Sequence, residues 1–192
     1  DAFRAVPREA FVSKDYAHLA YGDHTLPIEA QQTISQPYIV ALMIQAAAIE
    51  PFDKVLEVGA GSGYAAALVS RIAKRVIGIE RHHELAHLAL ERLKGLGYDN
   101  ITIVEGDGTK GLSSEAPFDA ILVAASGSHV PIPLVSQLAP NGRLVMPLGE
   151  PDSVQRLVRV TKQEDGIIKQ ESLGSVRFVP LIGEEGWRDT RI

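Results

Sequence analysis

The chain has 192 residues, 45% hydrophobic and 22% charged, with a formal net charge of −5; this is a globular composition with enough length for a sizeable core, not a disordered or fibrous one. The acidic balance, with no run of Lys or Arg longer than two, speaks against a nucleic-acid partner. Cysteine is absent, which removes disulfides and thiolate chemistry, and no apolar stretch approaches the roughly 20 residues that span a bilayer, so a cytoplasmic protein working away from membranes is expected.

Residues 1–20 begin like a helix and are interrupted by Pro7, and 21–37 (YGDHTLPIEAQQTISQP) read as a loop without a strong period. Pro37 suits the first turn of a helix over about 37–49, which Pro51 stops. Strands and helices then alternate: strand KVLEVG (54–59), helix YAAALVSRIA (64–73), strand RVIGIE (75–80), helix ELAHLALERLKGLG (84–97), strands ITIVEGDG (101–108) and DAILVAAS (119–126), a helix and turn in VSQLAPNG (135–142), and strand GRLVMPLG (142–149). This rhythm predicts a doubly wound α/β fold, a mostly parallel Rossmann-like sheet with helices on both faces. The stretch 155–181 differs. Two strand-like segments around the turn Glu164-Asp165-Gly166 predict an antiparallel hairpin at the sheet edge.

Inside RHHELAHLALERL (81–93) sits HELAH, a match to the H-E-x-x-H pattern of zinc peptidases. On a helical wheel Ala86, Ala89, Leu90, Leu93 and Gly97 share the stripe that packs on the sheet, leaving His83 and His87 on a solvated flank. A catalytic zinc needs a third protein ligand. Glu105 is at a plausible sequence distance but is expected at a strand end, away from the helix. No metal site is therefore expected.

The stronger signal is VLEVGAGSGY (55–64), a strand that runs through Gly59, Gly61 and Gly63 straight into a helix. Glycines there permit a tight turn and let a ligand approach the backbone. Glu80, ending the next strand, can accept hydrogen bonds from both ribose hydroxyls of an adenosine cofactor. An NAD fingerprint has Gly or Ala where Tyr64 stands. The spacing G-x-G-x-G, preceded by Glu57, instead resembles the first motif of class I S-adenosylmethionine methyltransferases. In the loop GDG (106–108), Asp107 can accept from an adenine amino group and Gly108 leaves room for the ring.

TISQPYIVALM (33–43), the glycine loop, EGDGTKGL (105–112), APFDAILVAAS (116–126) and VRFVPLIG (176–183) resemble the protein-L-isoaspartate O-methyltransferase family. The likeness runs over nearly the whole chain from VPREAFV (6–12), before which family members usually carry a further helix. Two positions depart from the family pattern. Gln31 stands where glycine usually precedes Q-T-I-S, and Ala124-Ala125-Ser126-Gly127 stands where A-A-A-P is usual.

The resemblance implies a repair enzyme that methylates the free carboxylate of L-isoaspartyl or D-aspartyl residues in damaged proteins and peptides, with S-adenosyl-L-methionine as cofactor. It implies that Glu57, Gly59, Gly61, Gly63, Glu80, Asp107 and Gly108 bind the cofactor. Thr33, Ile34 and Ser35, with Val176, Arg177, Phe178 and Val179, would line the peptide, Ser35 being the active-site serine. The chain is then one methyltransferase domain over 1–192, working as a monomer. Residues 1–50 form N-terminal helices and the active-site loop, 51–150 the cofactor core, and 151–192 the C-terminal hairpin and substrate segment.

The chemistry agrees. A carboxylate with a pKa of about 4 is ionised at pH 7 and needs no general base, so Ser35 would aim one of its oxygens rather than attack. Ser35 also stands where a helix N-cap is expected, before Gln36-Pro37. VRFVPL reads equally as an edge strand ending at proline, and Arg177 as a solvent-facing side chain. Other readings are a methyltransferase for a small carboxylic acid and a non-catalytic S-adenosylmethionine-binding module.

Overall fold

The computed structural model describes residues 1–189; positions 190–192, the end of the expected C-terminal segment, lie outside the described residues. The N-terminal stretch is a short helix α1 (Ala2–Ala5) and two 3-10 helices, Arg8–Phe11 and Lys14–Leu19. The segment read as a plain loop contains a miniature hairpin. In it β1 (Leu26–Pro27) pairs antiparallel with β2 (Thr33–Ile34), and the Ile28 N–H donates to the Gln32 carbonyl at 2.9 Å. Its tip holds Ala30 and Gln31 in the left-handed region, with φ of 53° and 57°.

Helix α2 (Pro37–Ala47) starts with Pro37 in its first turn, as expected. Its N-cap, however, is Gln36, with no side-chain cap, so the capping role considered for Ser35 is not what the structure shows. Asp23 supplies the cap from across the hairpin. Its Oδ1 accepts the Tyr38 N–H at 2.9 Å and its Oδ2 accepts Gln36 Nε2 at 2.9 Å. A helix N-terminus leaves donors without intrahelical partners, and a carboxylate is a strong acceptor for them.

The core follows as β3 (Lys54–Val58), α3 (Tyr64–Ser70), β4 (Arg75–Glu80), α4 (His83–Gly95), β5 (Ile101–Glu105), β6 (Phe118–Val123), α5 (Ile132–Ser136), β7 (Leu138–Leu148), β8 (Gln155–Lys162) and β9 (Ile168–Val176). The seven long strands form one sheet in the order β5-β4-β3-β6-β7-β8-β9. Its first five members are parallel, and β8 and β9 close it as an antiparallel hairpin. Alternation explains the layering. Val55 and Val76 point into an apolar cluster with α2 and α3, whereas Leu56, Val58, Ile77 and Ile79 point into a second with Phe118 and Leu134. Strands buried on both faces are what a parallel sheet between two helical layers requires.

Three expectations need correction. In α4 the buried residues are Leu85, Ala86, Ala89 and Leu93, while Leu90 is half-buried and Gly97 lies beyond the helix. The helix touches the hairpin tip as well as β4 and β5, so its buried face is rotated towards Leu85. The helix expected in 135–142 ends at Ser136, and β7 begins at Leu138, because Pro140-Asn141-Gly142 cannot continue a helix.

VRFVPL, lastly, is no edge strand beyond Val176. Gln155 takes over Phe178, accepting its N–H at 2.7 Å and donating to its carbonyl at 3.2 Å. The chain then crosses to the end of β6, where the Ser126 N–H donates to the Val179 carbonyl and the Leu181 N–H to the Ser126 carbonyl, each at 2.8 Å. No helix among the described residues is long and apolar enough to cross a membrane.

A non-glycine residue in the left-handed region costs about 1–2 kcal/mol, against roughly 0.5–1 kcal/mol of extra chain entropy for glycine. Gln31→Gly should therefore leave stability unchanged or raise it by up to about 1 kcal/mol in urea unfolding, while the β-branched Gln31→Val should lower it. A loss of more than about 1 kcal/mol in Gln31→Gly would show that the Gln31 side chain, not its backbone, matters.

Candidate active site

Strand β3 has β4 on one side and β6 on the other, so the chain leaves it in one direction and later returns in the opposite one. Such a switch point opens a crevice beyond the strand ends. The glycine loop fills its floor. Gly59, Gly61 and Gly63 all have positive φ (83°, 53° and 86°), which is why glycine is needed at each. The Gly59 and Ala60 N–H groups both donate to the Ile79 carbonyl, at 2.8 and 3.1 Å. Arg92 of α4 donates to the Ser62 carbonyl at 2.8 Å, and Gly63 caps α3 and packs on α4 rather than lining the cavity.

Glu80, at the end of β4, holds the loop in shape. Its Oε2 accepts the Gly61 N–H and its Oε1 the His82 N–H, both at 2.9 Å. Each oxygen keeps a lone pair for a ligand hydroxyl. Glu57 is 2% exposed on β3, beside Gly78 of β4, and its Oε2 has no hydrogen-bond partner. Burial, and then the neighbouring Glu80 charge, push the Glu57 carboxyl up to about 8, against the pull of the Ala66 N–H. Burial thus favours the protonated form of Glu57. The unpartnered Oε2 in the cavity wall is a fit for a cationic ligand such as S-adenosylmethionine, whose charge would draw the carboxyl towards its ionised form.

Two cavities meet here. The first lies over the glycine loop and is lined by Glu57, Gly59, Gly61, Glu80 and Gly108 on the core side and by Thr33, Ile34, Ser35 and Val179 on the other. The second runs out along Val176, Arg177, Phe178 and Val179, under Ile39 and Val154. Thr33, Ser35, Ala124, Val179 and Pro180 line both. The structure therefore gathers the two sequence-distant groups, TIS and VRFV, around one junction. Arg177 is exposed at the rim of the outer cavity.

Asp107, expected with Glu80 and Gly108 at the cofactor, lines neither cavity, because its side chain is taken up by the loop that follows it and by the C-terminal stretch. Its Oδ1 takes the Thr109 N–H and hydroxyl at 2.9 and 2.6 Å, and its Oδ2 takes the Glu184 N–H at 2.8 Å. Burial pushes its carboxyl up, but these donors and Lys110 outweigh it and hold it below the usual range. Gly108 has a packing reason of its own, since an added Cβ would fall 2.5 Å from Val58 Cγ1.

On HELAH, the expectation that Glu105 stands clear of the helix is corrected. Glu80 and Glu105 are register partners and α4 starts just after Glu80, so His83 Nδ1 meets Glu105 Oε2 at 2.7 Å. That bond raises the His83 pKa, yet the ring is 81% exposed, and His87 pairs with Glu91 instead, at 3.7 Å. Among the described residues no three potential ligands converge there or elsewhere.

Several residues at the site are not among those the motifs point to. Tyr64, Arg81 and His82 line the first cavity, and Pro180 both; each directly adjoins a recognised motif residue or lies in VRFVPL, which is the signal that was available. Ser126, one of the departures from the family pattern, is fully buried. It ties the crossover by its main chain, and its carbonyl also accepts Trp187 Nε1 at 2.9 Å. No motif announces that.

The family model described as protein-L-isoaspartate(D-aspartate) O-methyltransferase matches residues 1–186. A protein-L-isoaspartate O-methyltransferase 2 of Pelobacter propionicus is 53% identical over 186 residues, covering 97% of this chain and 83% of its own. A solved protein-L-isoaspartate O-methyltransferase superposes with a TM-score of 0.89 at 29% identity, over 96% of this chain but 61% of the other. One from Plasmodium falciparum, described as putative and in complex with S-adenosyl-L-homocysteine, gives 0.80 at 30% identity, over 94% and 88%.

Glu57 generates a pH prediction. Its carboxyl titrates near 4.5 ordinarily and about 8 when folded, so the folded chain holds more protons between those values. The stability tied to the neutral form is complete below 4.5 and lost as pH rises through about 8. Glu57→Gln should raise the cofactor-free melting temperature by several degrees at pH 8.5 and little at pH 5. An equal shift at both pH values would show that Glu57 is charged when buried.

Proposed function

Since the chain belongs to the protein-L-isoaspartate(D-aspartate) O-methyltransferase family, we propose that its inner cavity holds the cofactor, its outer cavity holds the damaged peptide, and Ser35 joins them. The chain is an S-adenosylmethionine-dependent methyltransferase acting on the free carboxylate of L-isoaspartyl and D-aspartyl residues in damaged proteins and peptides. The observation that carries the division of labour is that Ser35 borders both cavities.

On this reading Glu80 accepts the ribose hydroxyls on the lone pairs left over from Gly61 and His82. Asp107 has one lone pair left by the same count, on Oδ2, for the adenine amino group. Glu57 faces the cationic part of the cofactor, Gly59, Gly61 and Gly108 let the backbone come close, and Gly63 shapes the loop from behind. Bound S-adenosylmethionine supplies an electrophilic methyl group on a positively charged sulfur.

The chain's residues have no proton to remove, because the acceptor carboxylate is already ionised. Their work is orientation and exclusion of water while opposite charges cancel. The Ser35 hydroxyl donates to one carboxylate oxygen and so aims the other at the methyl group. Thr33, Ile34 and Val176–Val179 hold the peptide around it, with Arg177 at the rim. One chain supplies both cavities, so a monomer suffices as the working unit, a single domain with 1–50 as the loop side, 51–150 as the cofactor core and 151–192 as the substrate side.

Two synthetic peptides, identical except for one L-isoaspartyl or normal aspartyl linkage, test this with labelled S-adenosylmethionine, with and without EDTA. Base-labile methyl ester should form on the isoaspartyl peptide alone, whether or not EDTA is present. Methylation of both peptides, or of neither, would sink the substrate assignment. A hydrogen bond to a charged group is worth about 1.5–3 kcal/mol. Ser35→Ala should therefore lower kcat about 10- to 100-fold and leave S-adenosylhomocysteine affinity nearly unchanged; a comparable loss of that affinity would contradict the aiming role.

A further inference from the structure

Arg8 is 1% exposed, and both terminal nitrogens of its guanidinium donate to backbone carbonyls rather than to a carboxylate, while its buried Nε has no hydrogen-bond partner. Nη1 donates to Ala20 and, at 3.4 Å, to Gly22; Nη2 donates to His24 at 3.1 Å and to Ser35 at 3.0 Å. The same group lies over the Tyr64 ring, 5.6 Å from its centroid. Tyr64 opens α3 directly after the glycine loop and lines the inner cavity. One side chain thus touches three carbonyls between Ala20 and His24, the backbone of Ser35 and the first residue of the cofactor helix.

Its contact with Ser35 is the one with consequences. Ser35 and Gln36 are the only two residues between β2, which ends at Ile34, and α2, which starts at Pro37. Gln36 is tethered by its side chain to Asp23. Ser35 is tethered through its carbonyl, to Arg8. The bond from Arg8 thus anchors the peptide plane after Ser35, and with it the backbone from which the hydroxyl leaves. Arginine suits the task because a planar fork of five donors reaches several carbonyls at once, which an ammonium cannot do in fixed directions.

We propose that Arg8 is a positioning residue for methyl transfer, holding the Ser35 main chain at a set distance from Tyr64 and the cofactor loop so that the hydroxyl is aimed before peptide binds. The inference rests on the function proposed above. Arg8 lines neither cavity and acts through the residues it holds, Ser35 first among them.

The test is a double-mutant cycle on the full chain with Arg8→Lys, Ser35→Ala and the pair together. It reads kcat and KM on the isoaspartyl peptide, S-adenosylhomocysteine affinity by calorimetry, and the melting temperature. Misplacement of a reacting group by about 1 Å costs on the order of 100-fold. Arg8→Lys should accordingly lower kcat about 10- to 100-fold with cofactor affinity within about threefold. The pair should be no more than about threefold slower than Ser35→Ala alone, because the second change removes an aim already lost.

Effects that multiply would overturn the proposal, as would a folded Arg8→Lys protein with a lower melting temperature but full kcat, or a parallel loss of cofactor affinity. If Arg8→Lys does not fold, Arg8→Gln, which keeps two donors, carries the same cycle. Failure of the wild-type chain to methylate the isoaspartyl peptide would instead remove the functional reading and this inference with it, an outcome distinguishable because no variant is involved.

Discussion

All five parallel strands end on one edge of the sheet, and everything that acts in this molecule is gathered beyond that edge. The constraint is one of backbone polarity. Where β3, β4 and β6 stop, carbonyls and N–H groups lose their ladder partners and must be satisfied by the loops. The glycine loop does so by folding back, with two N–H groups sharing the Ile79 carbonyl. Glu80 then fixes the turn by taking the Gly61 and His82 N–H groups on its two oxygens. A carboxylate that shapes the loop also offers the cavity its remaining lone pairs, so structure and binding use one group.

Both ends of the chain are brought to this edge by polar side chains rather than by extended sheet or helix. Arg8 and Asp23 organise the N-terminal hairpin, one through four carbonyls and the other by capping α2 from a distance. Gln155 and Ser126 do the corresponding work for the C-terminal crossover, the first by peeling Phe178 off the sheet and the second by receiving Val179 and Leu181. Asp107 pins the last stretch through Glu184. These bonds add direction to the apolar anchors that the same segments bury, Phe11, Leu26 and Ile34 at one end and Leu181 at the other. The result is a wall, with Ser35 and Val179 in it, between a buried pocket and an open groove.

Charge is distributed to match. Burial, and then the neighbouring charge of Glu80, push the Glu57 carboxyl towards its protonated form. A cationic ligand beside it would favour the ionised form instead. The histidines of HELAH, by contrast, face solvent, where a pair with Glu105 or Glu91 amounts to an exposed contact of small energetic value.

The fold class was legible because strands buried on both faces and helices with a single apolar stripe leave different periods in the sequence, and the glycine spacing marked the turn between them. Glu57 and Glu80 could be picked out for the same reason, each lying at a fixed step from that turn. Tertiary structure alone decided the rest. It turned the buried stripe of α4 towards Leu85, brought Glu105 to His83, moved the α2 cap from Ser35 to Asp23 and lifted VRFVPL off the edge strand. Each of these depends on a hydrogen bond or contact between residues far apart in the chain, and such pairings leave no local period or spacing to read. Ser35 shows both sides: its motif could be recognised in the sequence, but its place between two cavities follows only from strands and loops that meet in three dimensions.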